Sequence, residues 1–144
     1  MTASMRDFAE RTYRTRRHLL KLIERLNETA IRESSKFLVL SGSTDEWLMF
    51  DVSGVRIVFR AAYGLDGTGY LECGHHEMDE RQEARFLTDL SLEIDPLGNV
   101  DHRWTISEVG SNLEALLDRT YDRILERFAG RQVRIVNGVF DPRS

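Results

Sequence analysis

From position 5 to about position 31 the apolar and small side chains recur at three- and four-residue steps: Phe8, Thr12, Thr15, Leu19, Leu22, Ile23, Leu26 and Ala30. At 100° per residue these fall on one stripe, which predicts a long amphipathic helix. Ser4 followed by Asp7 reads as its capping signal, and no Pro or Gly interrupts it before Ser34-Ser35. From Lys36 to about Ile106 the period becomes two. Strands are expected at Phe37 to Leu40, Glu46 to Asp51 and Val55 to Tyr63, separated by Ser41-Gly42-Ser43-Thr44 and Ser53-Gly54. In the third, Val55, Ile57, Phe59 and Ala61 alternate with Arg56 and Arg60, the pattern of a half-buried antiparallel strand. Asp66-Gly67 is a hairpin signal leading into a strand from Tyr70 to His75.

Residues 77 to 90 read two ways. Their charged first half has helical composition, whereas Phe86, Leu90, Leu92 and Ile94 share a strand face, so a short helix or loop followed by a strand is expected. Asp95-Pro96-Leu97-Gly98-Asn99 is a turn, and Val100, His102, Trp104 and Ile106 then predict a last alternating strand. Ser111-Asn112-Leu113-Glu114 is a capping box opening a second long helix with the stripe Leu113, Leu117, Tyr121, Ile124 and Phe128, closed by Gly130. A short strand at Val133 to Val136 is expected next, and Asn137-Gly138 followed by Asp141-Pro142 makes residues 137 to 144 a turn or a flexible tail. The expected architecture is one α+β domain over residues 1 to 144. An antiparallel β-meander of five to six strands packs against long N-terminal and C-terminal helices. Its core is expected to include Phe8, Leu19, Ile23, Leu26, Val55, Ile57, Phe59, Leu92, Ile94, Trp104, Leu117, Ile124 and Phe128.

Composition agrees with a folded chain: of 144 residues 41% are hydrophobic and 31% charged, with a net charge of −4. No apolar run approaches bilayer length and the N-terminus is charged, so a cytoplasmic protein is expected. The single Cys73 excludes an intrachain disulfide framework. Arginine outnumbers lysine 18 to 2 along the whole chain, which reads as genome composition and points to a bacterial source. Charge is unevenly divided. Residues 1 to 36 carry nine Lys/Arg against five Asp/Glu, and residues 37 to 144 carry eleven against nineteen. On the first helix Arg14, Arg17, Lys21 and Arg25 form a basic ridge opposite the apolar stripe, suited to an acidic partner or to the chain's own acidic body.

Candidate chemistry gathers at Cys73-Gly74-His75-His76-Glu77. Cys73 and His75 share a strand face, and His102 is expected on the apolar face of a later strand. These three are therefore the candidate metal ligands, or a cysteine nucleophile with its base. The bland alternative, a small core cysteine and solvated histidines, is commoner. No metal motif of fixed spacing and no Gly-x-Ser-x-Gly elbow is present, and Gly64-x-x-Gly67-x-Gly69 joins two strands instead of opening a helix. No cofactor is expected.

In element order the chain resembles the small acidic chaperones of type III secretion systems. The matching stretches are Glu46 to Asp51, Val55 to Phe59, the hairpin from Leu92-Glu93-Ile94-Asp95 to Val100, and the helix after Ser111. The segment Tyr70 to His76 departs from the leucine-rich second helix of that family. Because no catalytic or cofactor constellation stands out and the charge is polarised, the expected function is a non-enzymatic chaperone, adaptor or inhibitor that binds another protein, with a homodimer as one assembly to consider. The alternatives are a small enzyme using Cys73, His75 and His102, and nucleic-acid binding through the first helix.

Overall fold

The computed structural model describes residues 2 to 142. Helix α1 spans Ala3–Arg32, and its cap is Thr2, whose hydroxyl accepts the Met5 N–H at 3.1 Å. That cap lies two residues before the expected Ser4. The predicted stripe is the buried one: Thr15, Leu19, Leu22, Ile23, Leu26 and Ala30 face inward, while Phe8 is half-buried at its open end.

A seven-stranded antiparallel meander follows, more than the five to six strands expected: β1 (Leu38–Ser43), β2 (Trp47–Val52), β3 (Val55–Tyr63), β4 (Gly69–Met78), β5 (Ala84–Ile94), β6 (Asn99–Val100) and β7 (Trp104–Thr105). Register places the inward positions opposite one another, with Leu48 facing Phe59, Phe59 facing Cys73, Cys73 facing Leu90 and Leu71 facing Leu92. Phe50 and Phe59 meet edge to face at 5.0 Å in the centre. Two helices complete the layer on this face, the short α2 (Ile106–Gly110) and α3 (Leu113–Arg127), so Leu113, Leu116 and Leu117 join the leucines of α1 in one core. The Thr29 hydroxyl donates to the Gly110 carbonyl at 2.7 Å and ties α1 to α2. Among the described residues no helix is long and apolar enough to cross a membrane.

Three expectations are corrected, and one open alternative is decided. Of the helix or loop expected in the first half of residues 77 to 90, the loop is what forms, with the expected strand after it. β4 continues to Met78, and the Asp79 carboxylate accepts the Arg81 and Glu83 N–H groups at 2.8 and 2.9 Å, so a turn that delivers the chain into β5 overrides helical composition. The strand expected from Val100 to Ile106 is broken, because Asp101 and His102 adopt φ of 52° and 57° and Ile106 already begins α2, capped by Thr105. Asn112, not Ser111, precedes α3, and its side chain makes no capping hydrogen bond. Residues 137 to 142 are no tail: β8 (Arg134–Val136) and β9 (Val139–Asp141) form a hairpin, and Val139 and Phe140 are buried. Asn137 and Gly138, at φ 54° and 81°, supply the two left-handed positions its two-residue loop needs. The rest of the expected tail, 143 and 144, lies outside the described residues.

Truncating the central aromatic is expected to remove a large part of the stability. Phe59→Ala should cost about 3–5 kcal/mol, read as a lower urea midpoint at unchanged m-value; an unchanged midpoint would show that the ring is not at the centre of the packing.

Candidate functional site

In β4 the inward face carries Cys73, His75 and Glu77 in alternation, and β5 supplies the partner that the sequence pattern hides. Between Cys73 and Gly74 the register slips: Cys73 faces Leu90 but Gly74 faces Thr88, leaving Asp89 as the extra residue of a β-bulge. The slip turns the Asp89 carboxylate inward, where its Oδ2 lies 2.5 Å from Nδ1 of a fully buried His75. An ionised carboxylate can only accept, so in this pair Nδ1–H donates. Close approach at the bulge requires Gly74, since a Cβ there would sit 1.9 Å from the Leu87 carbonyl oxygen.

The other ring nitrogen faces a second carboxylate. Nε2 is 3.6 Å from Glu77 Oε2, too far for a hydrogen bond, and it has no hydrogen-bond partner among the described residues. Arg127 of α3 holds the same Glu77 oxygen through Nη2 at 3.1 Å and Nε at 3.3 Å. Phe128 and Phe140 meet the imidazole edge to face at 5.7 and 5.0 Å and stack on each other, so α3 and β9 close over it. The chain therefore contains an Asp-His pair of the kind that orients a general base, with the base's free nitrogen sealed from solvent. Its neighbour His76 points to the opposite face beside Phe86, and burial, then the Arg56 and His75 charges, hold its pKa below the usual histidine value.

The three expected ligands do not converge. Cys73 is fully buried, and burial pushes its thiol pKa far up. His102 sits on the surface turn after β6, 67% exposed, with carboxylate oxygens of Asp95 and Glu93 at 3.4 and 3.6 Å. Its placement on an apolar strand face failed with the strand itself. Among the described residues no group of three His, Cys, Asp or Glu side chains is arranged to hold a metal ion. On α1 the ridge residues Arg14, Arg17, Lys21 and Arg25 are all exposed. Arg25 also lays its stem over Gly110, where an added Cβ would meet its Cγ at 2.4 Å, so this residue packs α1 against α2. Comparisons of the chain with models of protein families, with curated proteins and with solved structures find no match.

Asp89→Ala would strand the imidazole without its acceptor and is expected to cost about 3–5 kcal/mol, whereas Asp89→Asn, which keeps an acceptor oxygen, should cost less. Denaturant midpoints of the two variants check the order. Cys73 should resist a thiol-specific reagent in native buffer and react at once in denaturant, because only the exposed thiol forms thiolate readily; rapid native labelling would contradict its burial.

Proposed function

We propose that this chain is a cytoplasmic, non-enzymatic protein-binding module, a chaperone, adaptor or inhibitor, that receives an acidic protein surface on the ridge of α1. One observation carries the reading: three cations on successive turns of one helix, Arg14, Arg17 and Lys21, are exposed and make no salt bridge among the described residues. Two other arginines of the same helix are paired within the chain. Arg11 lies 3.6 Å from Asp7 and Arg16 reaches Glu46 of the sheet at 2.9 Å, so the helix is braced without the ridge. A row of unpaired like charges on a rigid helix favours encounter with an acidic surface and fixes its register. The resemblance to type III secretion chaperones is read from the sequence alone, and it raises the homodimer as the assembly to test.

Charge reversal tests this reading. Arg14→Glu with Arg17→Glu should abolish salt-sensitive binding to immobilised polyglutamate while leaving the melting temperature within a degree or two, since exposed charges contribute little to folding. Unchanged binding would reject the ridge as a contact surface, and a large fall in melting temperature would make it an internal brace. Tighter binding to duplex DNA than to polyglutamate would favour a nucleic-acid partner instead.

A further inference from the structure

A cavity of about 380 Å³ opens between α2, α3 and the β5 and β7 strands. Its apolar lining is Leu92, Trp104, Val109, Ala115 and Leu116, and its volume falls within the range of small-molecule sites, about 300–1,000 Å³. Three polar side chains also line it: Glu108, Asn112 and Arg119. Arg119 makes no salt bridge among the described residues, whereas Arg123 and Arg127 of the same helix lie 3.8 Å from Glu126 and 3.1 Å from Glu77. The Asn112 amide is also uncommitted to its helix, because it makes no capping hydrogen bond. Arg103 lies 4.6 Å from the Trp104 ring centroid and braces the indole against the cavity wall.

We infer that this cavity binds a small aromatic organic acid with a single negative charge, its ring against Trp104 and Leu116 and its acid group on Arg119. The apolar lining sets the body of the ligand, and the unpaired guanidinium sets its charged end, which Arg recognises through two parallel N–H donors. Glu108 on the same lining repels a second negative charge and so selects a monoanion over a dianion. Asn112 offers both a donor and an acceptor to a further polar group on the ring.

The chain has two tryptophans, so Trp47→Phe leaves Trp104 as the sole indole reporter. In that background, titration with anilinonaphthalene sulfonate should quench Trp104 saturably at one equivalent per chain. Phenylnaphthylamine, its uncharged counterpart, should bind at least tenfold more weakly. Arg119→Gln should weaken sulfonate binding about tenfold, the loss expected for one charge-assisted contact. Ala115→Leu, which fills the cavity from α3 without removing any polar group, should abolish it, with circular dichroism and melting temperature confirming that both variants fold. Equal affinity for the charged and uncharged probes would overturn the acid. Non-saturable binding, or binding unchanged by both substitutions, would overturn the site.

Discussion

The hydrogen bond between Asp89 and His75 depends on β5 carrying one residue more than β4 at that level. Without the extra residue, alternation would send the Asp89 carboxylate to the outer face, and a fully buried imidazole would face the core with no acceptor. The bulge brings the Leu87 carbonyl so close to β4 that only glycine fits opposite, which fixes Gly74. Beyond it β4 continues past its last pairing with β3, Ile57 with His75, and at Glu77 β9 joins in parallel. One slipped residue thus sets the inward carboxylate and the glycine.

Burying ions is costly, and removing a histidine and two carboxylates from water is repaid only if each is met by a partner. Asp89 has His75 and Glu77 has Arg127, whose exposed guanidinium reaches inward from α3. This arrangement keeps the polar groups beside a small apolar cluster, Ile124, Phe128 and Phe140, separate from the main leucine core.

What the sequence revealed depends on how locally each feature is encoded. The stripe of α1, the alternation of β3 and the periodic half of α3 need only neighbouring residues, and the α+β architecture of two long helices on an antiparallel sheet follows from them. His75 and Glu77 also share a face by simple alternation. Asp89 was hidden because a bulge inverts the parity on which face assignment rests, and Arg127 because its partner lies fifty positions away in the chain. His102 misled for the opposite reason: it continues the alternation of Val100 and Trp104, but left-handed φ values at Asp101 and His102 end the strand. The Asn137-Gly138 turn is legible locally, whereas the packing of the apolar pair Val139 and Phe140 back onto the sheet depends on distant partners.

The polar pair also does something that more apolar packing at the same place would not. Contacts among Ile124, Phe128 and Phe140 are non-directional, and β9 meets β4 through a single residue pair, Glu77 with Phe140. A slide of the hairpin by one residue would exchange Phe140 for an outward neighbour, and the Arg56 N–H, which donates to the Gly138 carbonyl at 3.2 Å, is one backbone anchor against it. His75 adds another. Its ring plane is fixed by the bond to Asp89, and Phe140 and Phe128 pack edge to face against that fixed plane at set distances. Arg127 adds a second constraint from the adjoining helix turn by holding Glu77, the residue that pairs with Phe140. The buried polar pair therefore adds to the backbone contacts that hold the register of the C-terminal hairpin, while the leucine core supplies most of the burial that makes the chain fold.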